Sequence, residues 1–147
     1  MHEDHPALFQ RLPKRKRRSK RPQTVEELQN PLEEFEQERV CDWLDAHKIP
    51  YHSIPNDLRT EFDIANMPVK RSKMHRIGLK PGVPDLFICR ASGLFHGLYI
   101  EMKRKHGGVV SADQKRWIRL LLEEGYLAKV CRGADKAIEL IEDYFNV

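Results

Sequence analysis

Residues 81 to 103, PGVPDLFICRASGLFHGLYIEMK, hold two short apolar runs with a Ser92-Gly93 turn between them, and this stretch restricts the chain more than any other. Apolar runs of this length bounded by turn residues read as strands, at about 85 to 90 and 97 to 103, and the short link favours an antiparallel hairpin. Side chains alternate across a strand, so Glu101 and Lys103 share one face while Met102 points into the opposite layer. Hairpin pairing then brings Asp85, at the start of the first strand, beside the end of the second. Three ionisable groups meet at one sheet edge.

The remaining elements follow from periodicity and punctuation. Asn30 is placed to cap a helix running to about His47, with Pro31 at its first position, acidic residues in its first turn and Leu32, Phe35, Val40, Trp43 and Leu44 on one side. A short strand is expected around Tyr51 to Ile54, then a long polar stretch from 55 to 80. Loops of that length inside a domain are usually functional or disordered. Ser111 begins a helix to about Glu124 with Trp117, Ile118, Leu121 and Leu122 inward, Gly125 stops it, YLAKVCR reads as a strand, and Ala134 to Phe145 closes the chain as an amphipathic helix. The order predicts an α/β layer fold with a mixed central sheet flanked by helices.

The chain's 147 residues suit one domain. Its formal charge of +4 hides an asymmetry: residues 1 to 22 carry eight Lys/Arg against Glu3 and Asp4, so the basic excess sits in the N-terminal stretch that includes KRKRRSKR. Residues 1–30 hold Pro6, Pro13 and Pro22 and few apolar side chains, and read as a flexible basic arm before a folded domain over 31–147. The arm suits either a nucleic-acid tether or an import signal, and the DNA-contacting role is favoured. No apolar run approaches the roughly 20 residues of a bilayer span, and no signal-peptide core precedes a cleavage site, so an intracellular protein with no membrane partner is expected. Cys41, Cys89 and Cys131 are far apart and read as reduced, mostly buried thiols. The histidines are scattered without HxH or HExxH spacing, which speaks against zinc.

Two carboxylates near a backbone carbonyl make a hard, oxygen-rich site suited to Mg²⁺ or Mn²⁺. A neighbouring lysine can orient or help deprotonate water and offset phosphate charge, so the reaction this suits is phosphodiester hydrolysis. Glu-x-Lys alone is commonplace on a solvated strand face. Its meaning comes from the joint pattern of GVPD, apolar strand, turn and YIEMK.

Through GLKPGVPDLFI, LYIEMKRKHGGVVSADQKRW and LEEGYLAKVCRGADKAIELI, residues 33 to about 131 resemble a VRR-NUC domain, a branch of the PD-(D/E)xK nuclease superfamily with a restriction-endonuclease-like core. The resemblance implies that Asp85, Glu101, the Met102 carbonyl and a first-helix glutamate hold the metal, with Lys103 as the catalytic lysine. Glu33 is the chosen glutamate, with Gln37 one turn on; Glu36, lying in the inward stripe, and Glu34 are the alternatives in another register. Gln114 matches the family's glutamine after the lysine strand, although Ser111-x-x-Gln114 is also a capping box. Gly78 and Gly82 flank Pro81 in the turn that, by resemblance, lets backbone approach the metal site.

A nuclease must surround its acidic site with phosphate-binding charge. Lys70, Arg71, Lys73, Arg76 and Lys80 precede Asp85, and Arg104 and Lys105 follow Lys103, so both runs are candidate DNA contacts. By resemblance Gln37 and Asn56 are further candidates. Small members of the family imply a homodimer cutting branched DNA such as Holliday junctions. Two other readings stay open: a non-catalytic DNA-binding module on the same fold, and a restriction-type nuclease with a defined sequence.

Overall fold

In the computed structural model, which describes residues 24–54 and 67–146, β3 (Leu98–Lys103) is the strand around which the other elements are arranged. It pairs antiparallel with β2 (Leu86–Ile88) on one side and parallel with β4 (Leu127–Arg132) on the other, while β1 (Tyr51–Ser53) pairs antiparallel with β2. The sheet order is β1-β2-β3-β4, mixed as the sequence predicts. The expected hairpin forms with register Leu86↔Ile100, Phe87↔Tyr99 and Ile88↔Leu98, closed by backbone bonds between Ser92 and Phe95.

Leu98, Ile100 and Met102 are fully buried and face the main core. There they meet α2 (Glu33–Ala46), through Val40 and Leu44, and α5 (Ala134–Phe145), through Ala134, Ala137, Ile141 and Tyr144. The i, i+3, i+4 spacing of those residues is what lets each helix bury one stripe. α4 (Ala112–Glu123) follows β3, packs along β4, and reaches the opposite face of the sheet. Among the described residues no helix is long and apolar enough to cross a membrane.

The helix starts differ from the sequence expectation. Asn30 does not cap α2: the helix begins at Glu33 after Leu32, without a side-chain cap. Asn30 instead ends a short helix, α1 (Val25–Gln29), which starts in a Thr24–Glu27 capping box inside the segment expected to be a flexible arm. Within the long polar stretch, α3 (Met67–Arg76) forms where only a loop was expected; its mixed basic and apolar residues carry no clear helical stripe. Leu122 is exposed rather than inward, because Trp117, Ile118 and Leu121 fill the stripe and residue 122 falls past its edge. None of the three cysteines forms a disulfide; Cys41 and Cys131 are buried, while Cys89 is exposed, contrary to its expected burial, just past the end of β2.

Candidate active site

Continuing the hairpin register by one residue sets Asp85 opposite Glu101, on the same face as Phe87 and Tyr99. Asp85 is held from two sides. Its carbonyl accepts the Ile54 N–H at 2.8 Å, and its side-chain Oδ2 accepts the Met102 N–H at 2.8 Å. The carbonyl of Met102 accepts a bond from Lys103 Nζ at 3.0 Å. The residue between the two catalytic candidates on β3 thus sends its side chain to the core and both its polar backbone atoms to the site.

Lys103 Nζ lies 2.6 Å from Glu101 Oε1 and 3.5 Å from Glu33 Oε1. Both Glu101 and Lys103 are nearly inaccessible, at 1% and 6% exposure. Burial, then the charge of Asp85, pushes Glu101 up to about 7 despite the ammonium beside it. Burial also raises Asp85, against the Met102 hydrogen bond and the Lys103 charge. For Lys103, burial pulls downward, but Glu101, Glu33 and Asp85 together carry it above its ordinary value. Glu101 Oε2 is buried with no donor among the described residues. A hard cation would satisfy such an oxygen.

Gln114 both caps α4 and touches Glu101. Its backbone N–H and side-chain carbonyl complete the capping box with Ser111, at 3.1 and 2.8 Å, while its amide nitrogen donates to Glu101 Oε1. The Pro-Gly turn makes this contact geometrically possible. A Cβ on Gly82, whose φ is +82°, would lie 2.5 to 2.7 Å from atoms of Asp113 and Gln114. The close approach of Gly82 is therefore to the start of α4, while Gly78, φ +112°, has open space around it.

Glu33 reaches the site because the start of α2 is clasped to the end of β3. Arg104 donates to the carbonyls of Pro31 and Asn30 at 3.2 and 3.0 Å, and the Asn30 amide bonds both backbone groups of His106 at 3.1 Å. Sequence reasoning missed this clasp; Asn30 read as a helix cap because Asn-Pro before an acidic turn carries that signal.

Glu36 is turned away from the site. It is fully buried and accepts the Ala134 N–H at 2.7 Å, so it caps α5, whose own N-cap residue, Gly133, has no side chain to do so. It also pairs with Arg39 at 3.1 Å. The signal was present: an acid inside an apolar stripe. Glu34 is exposed and Gln37 is half-buried one turn beyond Glu33.

The candidate DNA contacts divide. Lys73, Arg76 and Lys80 are exposed, the first two at the end of α3 and Lys80 between α3 and Asp85; Lys70 and Arg71 also lie on α3. Arg104 is engaged in the clasp. Lys105 pairs with Asp135 at 3.2 Å, and Arg39 reaches the same carboxylate at 2.7 Å; Arg39, then Lys105, holds Asp135 below the ordinary carboxylate range. Asn56 lies outside the described residues.

Residues 22–135 match a family model described as the VRR-NUC domain. A solved structure described as a VRR_NUC domain protein superposes with a TM-score of 0.65 at 31% sequence identity, covering 78% of this chain and 88% of that one. No curated protein matches the chain.

Proposed function

The chain belongs to the VRR-NUC domain family, a nuclease-type family, and from that premise we propose that it is a metal-dependent endonuclease hydrolysing DNA phosphodiester bonds, with branched DNA such as four-way junctions as its substrate. The observation that carries the reading is that Asp85 and Lys103 bond the backbone N–H and C=O of one residue, Met102, while Lys103 also pairs with Glu101. A degenerate binding module would have no use for a buried acid and a buried lysine left together at the sheet edge, where each costs desolvation energy.

The donor set fits a hard divalent ion. Asp85, Glu101 and the Met102 carbonyl would hold Mg²⁺ or Mn²⁺, with Glu33 on the flank, and the orphaned Glu101 Oε2 is the atom most in need of it. Such an ion, when bound, polarises a phosphoryl oxygen and lowers the pKa of water. The chain's own residues do the rest. Gln114 fixes the orientation of Glu101, the Met102 N–H fixes Asp85, and Lys103 supplies a charge that can orient the attacking water or balance charge developing on the phosphate.

Two symmetric cuts in a junction need two such sites, so the active form would be a homodimer with two-fold symmetry. The apolar stripes of α2 and α5 are spent inside the chain, against β3 and each other, so the shared surface would lie elsewhere.

The test is cleavage of labelled four-way junction, flap and linear duplex DNA with Mg²⁺ or Mn²⁺, comparing the natural chain with Lys103→Ala. Paired nicks in the junction, lost in the variant, are expected. DNA binding without metal-dependent cutting of any substrate would overturn the reading in favour of a non-catalytic module.

A further inference from the structure

The oxygens that would hold a metal already have a cation among them. Lys103 Nζ sits 2.6 Å from Glu101 Oε1, 3.0 Å from the Met102 carbonyl and 3.5 Å from Glu33 Oε1. Those are three of the four donors assigned above to the ion. Correspondingly, no three acidic, histidine or cysteine side chains among the described residues converge into a ready-made metal cage.

We propose that the Lys103 ammonium is the resident cation of the metal-free site, and that a divalent ion gains its place by displacing it. The proposal rests on the nuclease reading and adds an order to it. Without an ion, Lys103 is fully engaged, keeps the buried Glu101 carboxylate from standing alone, and has no free donor position directed at a substrate. Once an ion takes over Glu101 and the Met102 carbonyl, the ammonium is released to act on water or phosphate. Lys103 is thus held back from chemistry until the site is loaded.

Two features of the surroundings suit a side chain with two positions. Gly108, φ +73°, lies against the Lys103 stem, with a built Cβ only 3.3 Å from Lys103 Cδ, so a glycine here leaves free the space that any larger residue would take. Glu101 also does not depend on Lys103 for its orientation, because Gln114 grips the same Oε1 from α4. The carboxylate stays in position when the lysine leaves.

The experiment is titration of Mn²⁺ into the DNA-free chain by isothermal calorimetry, with free ion counted by electron paramagnetic resonance. Lys103→Met keeps the length and apolar stem while removing the competitor. It should bind Mn²⁺ about tenfold or more tightly than the natural chain, with unchanged stoichiometry. Lys105→Met removes the same charge two residues along without vacating the seat, and should shift the affinity by less than about threefold.

Equal or weaker Mn²⁺ binding by Lys103→Met, in a variant whose circular dichroism shows it folded, would overturn the proposal, as would an equal gain in Lys105→Met. The nuclease reading survives either result. Absence of Mn²⁺ binding in both the natural chain and Lys103→Met would instead remove the metal site, and both inferences with it.

Discussion

At the scale of single residues, the site is a cluster of groups that folding holds against their preference, and this gives it a pH signature. Glu101 moves from 4.5 in its ordinary state to about 7, through burial first and the Asp85 charge second. The folded-state value lies above the unfolded one, so the native state holds more protons between them. That contribution to stability is fully present below about 4.5 and is lost as pH rises to about 7. Asp85 is raised too, by burial, and has the same sign. The metal-free chain should therefore lose stability across this window, by about 1.4 kcal/mol for each pH step of one that Glu101 alone accounts for, and Glu101→Gln should flatten the decline. Thermal unfolding in chelator from pH 4.5 to 8 measures it, and a slope unchanged in the variant would place its origin elsewhere. Gln114 offers a second separation at this scale. Gln114→Glu keeps the capping box, because glutamate serves equally at that position, but sets a second anion against Glu101. Activity should fall about tenfold or more while the helix start loses little, whereas Gln114→Ala should also cost about 1 kcal/mol for the lost cap. Equal activity in Gln114→Glu and the natural chain would reduce the residue to a cap. Asp85, Glu101 and Lys103 were legible in the sequence because strand alternation and a hairpin register fix which side chains meet, whereas Gln114, on α4, came only from the family resemblance. The role of Asn30 was not, since its partner is 76 residues away.

At the scale of elements, the question is which first-helix glutamate serves the site and which serves the fold. Periodicity alone left Glu33, Glu34 and Glu36 open, because the acidic first turn of a helix and an inward-facing acid look alike until the neighbouring helix is known. The structure sets Glu33 at Lys103 and Glu36 at the start of α5. Glu36→Ala should leave the buried Ala134 N–H without an acceptor and Arg39 without one of its partners, costing about 2 to 4 kcal/mol. Glu36→Gln keeps an acceptor and should cost less. Neither should alter Mn²⁺ affinity, whereas Glu33→Ala should weaken it several-fold. Chemical denaturation and calorimetry on the same three variants decide the matter: loss of Mn²⁺ binding in folded Glu36→Ala would make Glu36 the ligand after all. Strands and the two C-terminal helices were the elements best read from sequence, each carrying a clear stripe or alternation. α1 and α3 were missed because α1 is too short for a periodic signal, and α3 combines basic and apolar residues without a stripe.

At the scale of the whole molecule, the distribution of positive charge around the acidic site determines how DNA can approach, and the structure changes what the sequence implied. Composition shows basic runs on both sides of the site; it does not show which cations are already committed. Arg104 ties β3 to the start of α2, and Lys105 is shared with Arg39 on Asp135, while Lys73, Arg76 and Lys80 are exposed on the segment leading into Asp85. The two runs should therefore differ in kind. If Lys73, Arg76 and Lys80 each meet a phosphate, replacing all three with alanine should reduce the slope of log affinity against log salt by about 2 to 3, since each contact releases roughly 0.9 counterion. Arg104→Ala should leave that slope almost unchanged and lower the melting temperature instead, by loosening the clasp that holds Glu33 at the site. Anisotropy of a labelled four-way junction between low and moderate salt, with Ca²⁺ in place of the Mg²⁺ or Mn²⁺ of the proposed reaction, measures the first effect, and thermal unfolding the second. A reduced slope in Arg104→Ala at unchanged stability would mean that the guanidinium exchanges its backbone carbonyls for phosphate when DNA binds. The start of α2 would then have to shift on the substrate, carrying Glu33 with it.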